Sequence, residues 1–200
     1  MIALFRGLAK NYGFLYWWPA GSPIEVIEGA ILAQNTSWKN VEKAMRMIKG
    51  ESIDNILNRS DLKHLIRSAG FFERKGRYLR GVLDYYRSWL ESLSLPMDLR
   101  TELLELDGVG RETADSIALY GFHQRTVPVD SYTLRLFNRY FGTAYSNRDY
   151  ETIRLLLCKL FNQEQLMEFH ALVDEHCKMV CKKVPICGSC PINSRCKSNH

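Results

Sequence analysis

The stretch Leu106-Asp107-Gly108-Val109-Gly110-Arg111-Glu112-Thr113-Ala114 sets two glycines around one apolar residue, and a helical pattern from Glu112 to Tyr120 follows at once. Glycine tolerates positive φ and lets other groups approach the backbone closely, so Gly108-Val109-Gly110 predicts a tight turn. Upstream, Leu99, Leu103, Leu104 and Leu106 fit the apolar face of a preceding helix. The unit reads helix, hairpin, helix. Amide groups of such a turn, at the positive end of the following helix dipole, make a seat for phosphate. A nucleic-acid backbone gripped there is held without its sequence being read. Taken alone, the same glycines also describe a plain turn between two core helices.

Outward from the turn, apolar residues recur at helical spacing and no strong period-two segment competes, so the sequence predicts an all-α chain. Ser22-Pro23-Ile24-Glu25 supplies an N-cap hydroxyl, a first-turn proline and a capping-box glutamate, opening a helix through Ile31 or beyond. Ser37 is placed to cap the next, with Val41, Ala44, Met45 and Ile48 inward and Gly50 as its stop. Ser60 begins another, which carries Leu62, Leu65 and Ile66 and ends at Gly70. Tyr78 to Leu93 keeps the pattern, as do Leu134 with Leu136 and Phe137, Ile153 to Leu160, and Met167 to Val180. A chain of 200 residues holds one domain or two small ones. Its formal net charge of +5 suits a polyanionic partner without requiring one. No apolar run is long enough to span a bilayer, and no small-residue cleavage site follows the N-terminal stretch that holds Arg6, Lys10, Trp17 and Trp18. An intracellular protein is expected.

Four of the six cysteines stand as Cys181-x5-Cys187-x2-Cys190-x5-Cys196. Thiols crowded into a loop-rich tail suit a metal better than a disulfide framework, which would spread along a secreted chain. Pro185 and Pro191 keep the segment out of helix and let it wrap. Four thiolates hold either a tetrahedral zinc or a [4Fe–4S] cluster, and spacing alone does not choose. Cys177, one helical turn before Cys181, is a reserve ligand, and Cys158 in its apolar run reads as a packed core thiol.

Together, LDGVGRETADSIALYG (106–121) and TVPVDSYTLRLFNR (126–139) resemble the helix-hairpin-helix and Gly/Pro-Asp signature of the endonuclease III superfamily of DNA glycosylases. The resemblance covers nearly the whole chain. It implies a six-helix module over 22–136 that contains the hairpin, a second module built from 1–21 with 137–200, and a DNA-binding cleft between them. It also implies that Cys181, Cys187, Cys190 and Cys196 hold a [4Fe–4S] cluster, zinc being the alternative. The first cysteine interval is one residue shorter than in endonuclease III relatives, a departure that resembles the alkylpurine branch. The implied partner is double-stranded DNA with a damaged base, bound by a monomer without membrane contact in the cytoplasm, at the nucleoid.

Residue by residue, Asp130 falls at the family's carboxylate position. A glycosylase flips a nucleotide out of the duplex and breaks the sugar–base bond, and a carboxylate stabilises the positive charge that develops on the sugar. Aspartate is equally a favoured N-cap for a helix beginning at Ser131, and the two roles are compatible. Bifunctional members carry a lysine directly after the hairpin turn, whose amine forms an imine with the sugar. Glu112 stands here. A carboxylate forms no imine, so a monofunctional enzyme is expected, with Glu112 either orienting water or Asp130, or only complementing the helix dipole. The Trp-Trp-Pro stretch, the Gln-Asn-Thr segment and Glu112 after the hairpin resemble the 3-methyladenine glycosylase branch. Trp17, Trp18, Pro19 and Trp38 would then form the base pocket, because electron-rich rings attract a cationic alkylated purine. The same tryptophans also suit burial at a seam. Ser131 stands where some relatives carry a pocket lysine. Gln34 matches the residue that fills the gap left by the flipped nucleotide, and Phe71 the wedge that parts the opposite strand. Gly108, Val109, Gly110 and Arg111 would hold the DNA backbone, and Arg74, Lys75, Arg77 and Arg80 would meet phosphates. The sequence thus predicts an iron–sulfur DNA glycosylase for alkylated purines, without strand cleavage. The alternatives are a glycosylase for oxidised, deaminated or mismatched bases, and a DNA-binding module that has lost catalysis.

Overall fold

The computed structural model describes residues 1–16, 21–92, 96 and 98–198, and among them every regular element is helical. The chain divides into two compact units, one from residues 20–123 and one from residues 1–19 with 124–200.

The first unit holds α2 (Pro23–Leu32), α3 (Trp38–Ile48), α4 (Ile53–Asn58), α5 (Leu62–Leu65), α6 (Phe72–Ser92), α7 (Leu99–Leu104) and α8 (Arg111–Ser116). A wider turn, Ile117–Gly121, continues α8. At the start of α2 the Ser22 hydroxyl accepts from the Glu25 amide at 3.3 Å, with Pro23 in the first turn. The Glu25 carboxylate, however, accepts from the Gly21 amide at 2.5 Å instead of closing the expected capping box on Ser22. Val41, Ala44 and Ile48 of α3 point inward with Ile27 and Ile31 of α2, Leu79 and Leu83 of α6, and Ala114 and Ile117. Burial of each large aliphatic side chain is worth about 1.5–3 kcal/mol, and this shared core is what makes short helices such as α4 and α7 stable. Ser37 precedes α3 without capping it through its side chain.

The second unit contains α1 (Ile2–Tyr12), α9 (Ser131–Phe141), α10 (Tyr150–Leu160) and α11 (Gln163–Met179). Phe5 of α1 meets Phe161 edge-on with ring centres 5.2 Å apart, and Phe161 stacks on Phe169 of α11 at 5.4 Å. The far ends of the chain are thereby joined by one aromatic core. The boundary expected at 136/137 lies at 123/124 instead. The reason is packing: α9 buries Thr133, Leu136, Phe137 and Tyr140 and lies against α11, so the whole helix, with Asp130 at its head, goes with the termini. Cys158 is only half buried, its thiol 3.5 Å from the Arg125 carbonyl, because it sits at the edge of α10 rather than on its inward face.

Candidate functional site

The hairpin joins α7 to α8 in the first unit. Gly108 has φ +77°, and a Cβ there would lie 2.2 Å from Cγ of Tyr78, so both backbone and neighbour require glycine. Gly110 is different: its φ of −89° is ordinary, and a Cβ would meet nothing. Val109 is buried in the core, so its side chain anchors the turn and only its backbone faces outward. Two arms are clamped together by Arg100, whose Nε and Nη2 donate to the two oxygens of fully buried Asp115 at 2.7 and 3.3 Å. Such a forked, charge-assisted pair fixes an angle between elements more firmly than a single bond would. No side chain caps the start of α8, and Glu112 stands exposed in its first turn, with Arg111 half-buried before it.

Gln34, just past α2, reaches this turn. Its Nε2 donates to the Gly108 carbonyl at 2.9 Å and to the Thr113 hydroxyl at 3.0 Å. Gln34, Phe71 and Gly108, three candidates from distant parts of the sequence, line one cavity of about 300 Å³ with Asn35, Arg74 and Tyr78. Phe71 is 65% exposed and has φ +46°, and Asn35 has φ +52°. Non-glycine residues in the left-handed region are uncommon and costly, and two of them flank this cavity.

The basic run beside Phe71 proves to be several different things. Lys75 is 2% exposed, and its ammonium donates to the carbonyls of Leu32 at 2.8 Å and Ala69 at 2.7 Å. It stitches the end of α2 to the turn before Phe71, and burial holds it down at about 8. Arg77 pairs with Asp107 of the hairpin at 3.0 Å, and Arg80 donates to the Arg59 carbonyl. Lys75 therefore does not meet phosphates, because its charge is used inside the protein. Trp38 is half-buried against the core of the unit. Trp17, Trp18 and Pro19 lie outside the described residues.

A carboxylate that the sequence reading passed over lies in the same unit. Glu28, in the middle of α2, is 3% exposed, and burial followed by the nearby charge of Glu25 pushes it up to about 8. It is a carboxylic acid that keeps its proton at neutral pH. The sequence signal was an acid on an otherwise apolar face between Ile27 and Ile31.

In the second unit, Asp130 is the N-cap of α9. One oxygen, Oδ1, accepts from both the amide and the hydroxyl of Thr133 at 2.8 Å each. The other, Oδ2, faces Nε2 of His170 at 4.0 Å. His170, Asp174 and Lys178 follow one another at four-residue steps on α11. Lys178 pairs with Asp174 at 2.5 Å, and burial drives the Asp174 carboxyl upward. On the same helix the Glu168 carboxylate accepts from the amides of Leu15 and Tyr16, the latter at 3.2 Å. That anchor holds the segment that carries Phe14 and Tyr16, which are 60% and 86% exposed. Phe14 is an aromatic the sequence reading had not named.

Cys181, Cys187, Cys190 and Cys196 line one cavity of about 210 Å³ with Leu136, Val180 and other residues, and none of the four is in a disulfide. The Cys181 thiol is lowered to about 6 by its hydrogen bond with Cys177 and then by Arg139, whose Nη1 is 3.4 Å from the sulfur. Cys177 is outside the lining, against the Tyr132 carbonyl. Fully buried His176 shares a hydrogen bond through Nδ1 with the Tyr12 hydroxyl at 2.9 Å, and its Nε2 lies 3.7 Å from the Cys190 sulfur. Burial lowers this histidine to about 4, so it is neutral.

A family model described as HhH-GPD superfamily base excision DNA repair protein matches residues 29–163, which takes in Gln34, the hairpin and Asp130. The chain belongs to the HhH-GPD superfamily. This HhH-GPD protein is 41% identical over 209 residues to a protein of Methanocaldococcus jannaschii named as a DNA repair glycosylase, covering 98% of this chain and 94% of that one. It is 30% identical to endonuclease III of Sulfolobus acidocaldarius, over 86% of this chain and 80% of the relative. Among solved structures, a non-covalent endonuclease III–DNA complex shares the fold with a TM-score of 0.83 at 22% identity, covering 99% of this chain and 94% of the other. The HhH-GPD chain is thus a DNA repair glycosylase by family, all-helical as its sequence predicts.

Proposed function

We propose that this glycosylase removes an alkylated purine from duplex DNA by hydrolysis, without forming an imine at position 112. The observation that carries the reading is Asp130. One oxygen is committed to the cap of α9, and the other is turned away from the cap toward His170. The carboxylate is therefore fixed in direction by the helix it starts, which is what preorganised stabilisation of an oxocarbenium-like sugar needs. As the sugar–base bond breaks, the electron pair leaves with the purine, water adds to the sugar carbon, and the charge passing through the sugar is offset by Asp130. Glu112 cannot act as the nucleophilic amine of a lyase. An alkylated purine carries its own positive charge and needs little help from an acid, and exposed rings such as Phe14 and Tyr16 offer it a stacking face.

One observation favours a second reading. Glu28 stays protonated near neutrality, and an uncharged oxidised, deaminated or mismatched base is the kind of leaving group that a general acid helps. The relationship to an endonuclease III supports the same reading. Incubation with duplexes carrying methylated, oxidised or deaminated bases separates the two. Release of free 3-methyladenine supports the first, release only from the other duplexes supports the second, and tight binding without release points to a module that has lost catalysis. Borohydride traps an imine if one forms, and a trapped covalent adduct would overturn the monofunctional reading.

The four cysteine thiols suit a [4Fe–4S] cluster better than zinc. All four line one cavity and none is in a disulfide, and the relationship to an endonuclease III favours the cluster. Cys181, Cys187, Cys190 and Cys196 would hold it, and when bound it would cross-link the C-terminal loop to α11. Arg139, which donates to the Cys181 sulfur, and neutral His176 beside Cys190 are positioned to tune such a group. Brown colour with visible absorbance supports the cluster, and a colourless, zinc-containing protein overturns it.

A further inference from the structure

The turn between Cys190 and Cys196 holds a polar side chain at odds with its surroundings. Asn193 lines the cysteine cavity of the second unit, and its Oδ1 is buried with no hydrogen-bond partner among the described residues. Buried polar atoms almost always have a partner, so each exception calls for a reason. Asp174 Oδ2 is the other such atom, and the Lys178 ammonium stands 2.5 Å from it. Asn193 has no counterpart of that kind among the described residues.

Its place is set by the main chain. The Asn193 amide donates to the Cys190 carbonyl at 3.1 Å, and its carbonyl accepts from the Cys196 amide at 2.9 Å, so the residue is tied on both sides to a cysteine of the cavity. Leu136, Val180, Pro185 and Ile192 make the neighbouring walls apolar. A side-chain amide is nearly symmetric in shape, and half a turn about its last bond puts an N–H donor where the oxygen stood. Toward thiolate sulfur the oxygen meets only another acceptor. A donor there meets negative charge, and the low polarity of the walls strengthens the bond.

We infer that Asn193 turns its amide nitrogen into this cavity and donates to sulfur of the group held by Cys181, Cys187, Cys190 and Cys196, as a positioning residue that favours the reduced form. The inference rests on the reading of the four cysteines as a [4Fe–4S] site. Arg139 reaches Cys181 from α9, and His176 stands beside Cys190 on α11. Asn193 adds a donor from the cysteine loop itself. Such a donor draws charge from sulfur, so the form that is one electron more negative gains more from it.

The test compares the full-length protein, purified with its bound metal, with Asn193→Leu, which has no amide, and Asn193→Asp, which offers only acceptors. Iron and acid-labile sulfide are measured first, then the reduction potential by titration and the retention of iron against a chelator. Asn193→Leu should shift the one-electron equilibrium about tenfold toward the oxidised form, a potential lower by about 59 mV, and Asn193→Asp should lower it further. Iron retention should weaken by about tenfold or more in both. A merely structural asparagine predicts otherwise, because exchanging a buried, unpaired oxygen for an apolar group leaves the potential where it was. Where a variant fails to keep its iron, the parent decides: with ¹⁵N in its asparagine side chains, pulsed EPR of the reduced protein should detect a coupled amide nitrogen. Among the described residues that line the cavity, Asn193 is the one amide side chain. An unchanged potential in Asn193→Leu, or no coupled nitrogen, overturns the inference and leaves the cluster reading standing. A colourless parent that carries zinc overturns the cluster reading, and this inference with it.

Discussion

Replacing Asp130 by asparagine separates the two jobs of this side chain. The cap rests on Oδ1, which accepts two bonds from Thr133 at 2.8 Å each. An asparagine oxygen accepts the same two bonds, and Asn and Asp cap helices about equally well, so stability should change by less than about 0.5 kcal/mol. What Asp130→Asn removes is the negative charge on Oδ2. Loss of one preorganised group facing the charge of a transition state costs about 10²–10³ in rate, or roughly 3–4 kcal/mol. The assay is single-turnover release of the damaged base, run beside denaturant unfolding. Asp130→Ala serves as the contrast, because it loses charge and cap together and should unfold about 1 kcal/mol sooner. If Asp130→Asn excises at the rate of the parent with unchanged stability, the carboxylate is only a cap and the mechanism is wrong. If it destabilises as much as alanine, the account of the cap is wrong.

Three further outcomes follow from the first unit. Gly108→Ala puts a Cβ into the Tyr78 ring at a backbone angle that L-residues avoid, and should cost more than about 2 kcal/mol and weaken DNA binding; Gly110→Ala should do neither, and equal effects would refute the distinction. Lys75→Met leaves two buried carbonyls without their donor and should destabilise by about 2–4 kcal/mol. Because the folded state lowers this amine to about 8 from its ordinary 10.5, the parent gains stability as pH rises through that window, so the gap to Lys75→Met should widen between pH 8 and 10; a gap that narrows refutes the burial argument. Glu28 runs the other way. Its folded value, about 8 against an ordinary 4.5, makes the parent lose stability as pH rises from 4.5 to 8, so Glu28→Gln should flatten that loss in unfolding titrations and, if Glu28 is the acid, slow release of uncharged bases below pH 8.

What the sequence could announce was whatever depends on near neighbours in the chain. The cap at Ser22, the turn glycine at Gly108 and the thiols at Cys181, Cys187, Cys190 and Cys196 are local patterns with local physical causes, and they carried both the fold class and the family. Contacts between distant residues carried the rest. Lys75 looks like part of a basic surface run, and only the carbonyls of Leu32 and Ala69 reveal it as an internal fastener. Gln34 finds its partners 74 and 79 residues away, and the tie from Glu168 to Leu15 spans 153. The boundary near residue 123 was displaced for the same reason, since which unit α9 joins depends on its packing against α11.

The second unit takes its first helix from one end of the chain and its last from the other, and this bears on how the protein is made. During synthesis the unit of residues 20–123 is complete while α1 still lacks α11 to cover Leu4, Phe5 and Leu8. At ribosomal speeds of about 5–20 residues per second, that greasy face waits roughly ten seconds or more for its cover. A nascent chain of this design has reason to meet a chaperone at its N-terminus, and truncations near the C-terminus should leave a soluble hairpin unit trailing a sticky, orphaned helix.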